Sequence, residues 1–175
     1  MLIILEGCDG TGKTTIAKEL EGHGFAVVHQ GPPQRHPVVE YTEPLDKYQP
    51  GGPGRDLALD RWLYGELVYP TSRRDGQTQL TTLGFSAVDE FLRVKGAVLI
   101  HCTSSLDLSA ALVQARGEPF DRGQWLWERD LFDRAICRSD VPTKRVNLND
   151  TLRFGLDVQG IIDWAARTEA EWSSR

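Results

Sequence analysis

The segment LIILEGCDGTGKTT, Leu2 to Thr15, restricts this chain more than any other part of it. An apolar run breaks into a loop carrying Gly7, Gly10 and Gly12 and passes at once into helix-forming sequence. A turn needs one glycine or two, so three beside a lysine imply that something must approach the backbone closely. Gly7 to Thr14 satisfies G-x-x-x-x-G-K-[ST] at every fixed position. Such glycines, with Thr11 among them, turn backbone N–H groups inward toward phosphate oxygens, and the following helix adds its positive end. Lys13 is then placed to reach the β and γ phosphates of a nucleotide, Thr14 to bind Mg2+ through its hydroxyl, and Thr15 to share the same helical turn, a pattern that by itself does not separate kinase from ATPase or GTPase. A glycine-rich turn with an exposed lysine is the plainer reading. It does not explain why strand, loop and helix come in the required order.

Periodicity extends the pattern. Strands are expected at Leu2 to Glu6, Phe25 to His29, Asp56 to Leu59, Ala97 to Cys102 and Arg145 to Leu148. Helices are expected at about Gly12 to Gly22, Leu63 to Val68, Phe85 to Val94, Leu106 to Ala115, Trp125 to Ile136 and Val158 to Trp172. Short apolar strands alternating with helices predict an α/β protein: a three-layer αβα sandwich around a central parallel sheet of about five strands. Ligands then gather at the carboxyl ends of the strands. Gly31 to Arg55 holds six of the nine prolines and reads as an extended surface segment around a short helix at most.

With 175 residues, 40% of them hydrophobic, the chain has material for one core, and a single domain over 1–175 is expected. A net charge of -5 gives no electrostatic footprint for wrapping duplex nucleic acid. Cys8, Cys102 and Cys137 are odd in number, far apart and without zinc spacing, which predicts a reduced, cytoplasmic protein. No stretch approaches the roughly 18 apolar residues of a membrane span, so no membrane partner is expected.

A second group of residues narrows the chemistry. In DLALDRWLYGELVYP, Asp60 ends an apolar strand, where a magnesium-linked carboxylate belongs, and Arg61 lies beside it at the active-site edge. A strand-end salt bridge is the alternative. His29 also ends a strand, where it can contact substrate or bond a neighbouring loop. Trp125 and Trp127 read as packing around a helix rather than as a base-stacking platform.

Leu5 to Thr15 resembles the thymidylate kinase signature, including an acidic residue, Asp9, inside the phosphate loop. Asp60-Arg61-Trp62 with Gly65 and Val68-Tyr69 is similar to that family's D-R-[YH]-x-x-S-x-x-[AV]-Y stretch, with glycine replacing serine. LSAALVQARGEPFDR, Leu108 to Arg122, looks like its helix and R-G-x-x-D-R lid. The resemblance implies a P-loop kinase fold with a short lid at about 116–123. It implies Arg61 holding phosphate between donor and acceptor, Asp9 near the acceptor sugar, Tyr69 lining the acceptor pocket, and Arg116 or Arg122 closing over ATP. It departs from the family after the second strand: His29-Gln30-Gly31-Pro32-Pro33 stands where R-E-P-G-G is usual, so the acceptor-binding arginine is absent. Arg35, Arg73 and Arg74 are the candidates to replace it.

The resulting expectation is a deoxynucleoside monophosphate kinase using ATP and Mg2+. An acceptor that is already an anion needs positioning and charge neutralisation more than a base. Two alternatives stay open. One is a kinase for an alcohol, either a nucleoside or a hydroxymethyl-pyrimidine in DNA, with Asp9 or Asp60 as base. The other is a nucleotide switch without transfer, although the chain has no N-K-x-D guanine-reading motif. A small nucleotide is the expected partner, DNA the alternative, and a homodimer is compatible with both.

Overall fold

The computed structural model describes residues 1–46, 48 and 56–173, with the side chains of Phe154 and Ser173 excluded. Five strands form one all-parallel sheet in the order β2-β3-β1-β4-β5, built from β1 (Leu2–Glu6), β2 (Ala26–His29), β3 (Leu57–Asp60), β4 (Ala97–Thr103) and β5 (Thr143–Asn147). Helices α1 (Lys13–Gly22), α2 (Pro37–Thr42), α3 (Gly65–Arg73), α4 (Thr82–Val94), α5 (Leu106–Ala115), α6 (Arg122–Ile136), α7 (Leu148–Phe154) and α8 (Val158–Ser173) complete the described elements, with a short 3-10 turn at Glu43–Leu45. The α/β sandwich expected from the alternation of elements is present.

The sheet explains its own sequence. Every residue of β1 and of β4 is buried, as a strand covered on both faces requires. Alternate side chains serve opposite layers. Leu2 and Ile4 of β1, with Ala97 and Leu99 of β4, pack with Trp62, Phe85, Val88 and Phe132 from the side of α3, α4 and α6. Ile3 and Leu5, with Val98, Ile100 and Cys102, pack with Ile16, Leu20, Val158 and Ile161 of α1 and α8. The edge strands are less covered, and β5 alternates exposed and half-buried residues as TKRVN.

Several boundaries differ from expectation. Leu148 starts α7 instead of ending β5, because the Asn147 side chain accepts from the Asn149 N–H and caps a new helix. The helix expected at Leu63 to Val68 is α3, shifted to Gly65–Arg73 and continuing past Pro70. The segment 116–123, expected to form a lid, is a connection of residues 116–121 between α5 and α6, since α6 begins at Arg122, where Asp121 accepts from the Gln124 N–H at 2.9 Å. In the proline-rich stretch, α2 and the 3-10 turn are the short helix foreseen there; residue 47 and residues 49–55 lie outside the described residues. Among the described residues, no helix is long and apolar enough to cross a membrane.

The strand order places the site. From β1 the chain moves toward β2, and from β4 it moves the opposite way toward β5, while β1 and β4 are neighbours. A crevice opens where adjacent connections diverge. It lies between the loop after β1 and the turn after β4.

Candidate active site

Residues 7–12 fill that crevice, and the glycines are there for contact. A side chain on Gly7 would lie 2.2 Å from the Cys102 carbonyl oxygen of β4, and one on Gly10 would lie 2.7 Å from the Ser109 carbonyl oxygen of α5. Both have positive φ, 142° and 77°. Thr11 Oγ1 donates to the Cys8 carbonyl at 2.8 Å, and Ser109 Oγ donates to that of Gly10 at 3.2 Å. Trp125 Nε1 donates to the Asp9 carbonyl at 2.9 Å, so Trp125 both packs and holds the loop. Cys8 is buried, and burial pushes its thiol up to about 12, which leaves it unreactive.

The first turn of α1 has no side-chain cap, whereas α4, α5 and α6 are capped by Thr81, Ser105 and Asp121. Its N–H groups face a cleft of about 260 Å³ lined by residues 9–15, Arg61, Leu112, Ala115 and Arg116. Lys13 is buried and donates to the Gly7 and Cys8 carbonyls at 2.6 and 2.7 Å. Arg116 lines this cleft and pairs with Glu118 at 3.0 Å. Arg122 does not line it and instead donates to Asp107 at 2.9 Å.

Arg61 and Arg73 meet over the loop. Nη2 of Arg61 donates to Asp9 Oδ1 and Nη2 of Arg73 to Asp9 Oδ2, each at 2.9 Å. Arg73 is also gripped by Glu128 of α6, through Nε at 2.6 Å and Nη2 at 2.7 Å. Glu128 takes further bonds from Ser72 at 2.8 Å and Gln124 at 3.1 Å. Burial pushes the Asp9 carboxyl up, but Lys13, Arg61 and Arg73 together hold it below its ordinary value.

A second cleft, of about 200 Å³, adjoins the first at Arg61 and is lined by Gln30 to Pro32, Tyr41, Trp62, Gly65, Glu66, Tyr69, Arg73 and Arg74. Tyr69 lines this cleft, with the Arg73 guanidinium 4.5 Å over its ring and its own buried hydroxyl without a hydrogen-bond partner among the described residues. Of the candidate replacement arginines, Arg73 and Arg74 line this cleft, while Arg35 pairs with Glu43 on the surface at 2.7 Å. His29 lines neither cleft; its Nδ1 lies 3.0 Å from Asp60 Oδ2. The other Asp60 oxygen, Oδ1, is buried without a hydrogen-bond partner among the described residues.

Three acidic residues that the sequence leaves unmarked matter here. Glu6 is fully buried, and its Oε1 accepts from the N–H groups of Trp62, Tyr64 and Gly65 at 2.8, 3.1 and 3.3 Å. Glu128 shares the apolar face of α6 with Trp125 and Phe132, and Glu66 is buried on α3. A carboxylate within an apolar face signals a buried partner. That pattern was available in the sequence.

No family model matches the sequence, and no curated protein is matched. Solved structures are. YorR from Bacillus subtilis, solved in complex with phosphorylated GDP, superposes with a TM-score of 0.76 at 17% identity over 95% of this chain and 96% of its own. Deoxyadenosine kinase from M. mycoides with bound dCTP gives 0.59 at 15% identity over 98% and 100%. This chain has the P-loop kinase fold. Polyphosphate kinase 2 from Arthrobacter aurescens TC1 gives 0.58 at 17% identity, with 98% of this chain covering 65% of that one.

Proposed function

We propose that this protein is an ATP-dependent kinase of deoxynucleoside monophosphates, of thymidylate-kinase type. The observation that carries the reading is the convergence of Arg61 and Arg73 on Asp9 where the two clefts adjoin. ATP occupies the cleft over residues 9–15, its phosphates on the uncapped N–H groups of α1 and on Lys13, which exchanges the Gly7 and Cys8 carbonyls for phosphate oxygens. An oxygen of the acceptor phosphate attacks the γ-phosphorus, the bond to the β–γ bridging oxygen breaks, and ADP leaves. Arg61 and Arg73 release Asp9 to bridge the two phosphates in a fixed plane.

Two residues are candidates for Mg2+: Thr14, which lines the donor cleft, and Asp60, which lines neither cleft but keeps one buried carboxylate oxygen without a hydrogen bond among the described residues. These two would hold the ion, directly or through water, and the ion would neutralise charge on the β and γ phosphates.

A second reading, transfer to an alcohol, is favoured by one fact: each arginine of the acceptor cleft already faces a carboxylate, Arg61 on Asp9, Arg73 on Asp9 and Glu128, Arg74 on Glu66. A dianion must displace those pairs. Against it, Asp9 is held below its ordinary value, which makes it a weak base.

ADP release should be measured with deoxynucleoside monophosphates, nucleosides and hydroxymethyluracil-containing DNA. Release with monophosphates, lost in Lys13→Ala and reduced on the order of a hundredfold in Arg61→Lys, is expected. Release only with alcohols selects the second reading. No release despite tight ATP binding leaves a nucleotide switch.

A further inference from the structure

The acceptor cleft has two distinguishable ends. At one it shares Arg61 with the donor cleft, so the reacting oxygen belongs there. At the other it shares Glu66 and Arg74 with an outer groove that also includes Gln34, Gln77 and Thr78. Tyr69, Tyr41 and Trp62 also line the acceptor cleft, the last two buried and edge to face at 5.4 Å. An aromatic ligand that enters past Arg61 would meet these ring edges along its length and Glu66 and Arg74 at its far edge.

These two residues present a defined hydrogen-bonding pattern. Glu66 is 4% exposed, its Oε1 accepting from Arg74 Nη2 at 2.5 Å and its Oε2 reached, among the described residues, only by Thr78 Oγ1 at a long 3.4 Å. Acceptor capacity is left on Oε2. Arg74 makes no other side-chain hydrogen bond among the described residues, so donors remain on its fork. The cleft floor therefore offers a pure acceptor beside a pure donor.

We propose that Glu66 and Arg74 read the base of the acceptor, and that the base carries an exocyclic amino group, cytosine above all. This rests on the reading that the cleft takes the acceptor. Cytosine places its N4 amino group beside the N3 and O2 acceptors, which matches a carboxylate next to a guanidinium fork. Thymine and uracil put a carbonyl oxygen where the amino group would be. Two lone-pair groups then face each other, and the single N3–H is flanked by carbonyls on both sides. Adenine and guanine also carry amino groups. Cytosine differs from both in setting two adjacent acceptors, N3 and O2, beside its amino group, so that it can engage two donors of the fork at once.

The test is calorimetric titration of the intact protein with deoxycytidine, thymidine, dCMP, dTMP, dAMP and dGMP, which reads binding without depending on transfer. Cytosine compounds should bind on the order of ten- to a hundredfold more tightly than their thymine counterparts. Glu66→Gln, which supplies an amide donor for a 4-carbonyl, should narrow or reverse that preference while leaving ATP affinity unchanged. Arg74→Gln should weaken cytosine binding without favouring thymine. Thymine compounds binding equally or better to the wild type, or no binding of either, overturns the inference. Tighter binding of a purine monophosphate than of dCMP overturns the choice of cytosine. The kinase reading fails separately, if ATP binds but no acceptor releases ADP.

Discussion

Arg61 has φ 68°, one of two non-glycine residues with positive φ among those described. A left-handed residue costs about 1–2 kcal/mol, so it persists only where its surroundings over-determine it. Here both come from β1. The Arg61 N–H donates to the Leu5 carbonyl at 3.0 Å, and the next N–H, of Trp62, donates to the Glu6 carboxylate at 2.8 Å. Clamped on both sides, the backbone turns the guanidinium back toward Asp9. Burial raises the pKa of Glu6, whose Oε2 has no partner. Such a group is costly to keep unless it positions something else. Glu6→Gln should therefore lower kcat on the order of tenfold with little change in ATP affinity. In an Arg61→Ala background the same change should cost almost nothing further. Additive losses would show that Glu6 acts independently of Arg61.

The elements around the 116–121 connection differ in how firmly they are held. α6 is tied to the loop through Trp125 and to α3 through Glu128 and Arg73, whereas Arg116 is half exposed beyond the end of α5. Closure over ATP should then carry Arg116 and leave Arg122 in place at the start of α6. An arginine-specific protease should cut after Arg116 more slowly when a bisubstrate analogue is bound, with cutting after Arg122 slow throughout. Equal cleavage after Arg116 with and without the analogue would mark a fixed connection.

Legibility followed the same division. The strand, loop and α1 were readable because their pattern is local, and β1 and β4 because strands buried on both faces are continuously apolar. β5 was found but its ends were not, because an edge strand with Thr143, Lys144 and Arg145 carries no such run, and seven-residue α7 is too short to show a period. Arg73 stood among three equal candidates, since its selection depends on Glu128, 55 residues away across the packing of α3 on α6. Asp60 could be seen as a strand-end carboxylate, but its pairing with His29 comes from the register of β2 on β3.

For the whole molecule, the pH dependence of stability should carry the mark of a histidine in the sheet. His101 of β4 is 5% exposed, and burial lowers its pKa from 6.5 to about 4, with Asp133 opposing the shift and Arg145 and Lys13 adding to it. Between those two values the unfolded chain binds a proton that the native one refuses. Stability should fall as the pH drops from about 6.5 to about 4, by about 3 kcal/mol in total. Asp9 acts lower: its depressed pKa adds stability that is lost only as the pH falls below its ordinary 3.8. Urea unfolding across pH 7 to 4.5 should show the slope, and a folded His101→Gln variant should flatten it. An unchanged slope in that variant would assign the effect elsewhere.

The sheet order also bears on how the chain is made. β1 is central, yet its neighbours β3 and β4 lie at 57–60 and 97–103. At a synthesis speed of about 5–20 residues per second, the side of β1 that meets β4 waits roughly 5 to 20 s for its partner. During that interval LIILE is an open, apolar, β-prone edge able to pair with another chain. The strand that later anchors the glycine-rich loop of residues 7–12 is thus, in the newborn polypeptide, a segment in need of shelter.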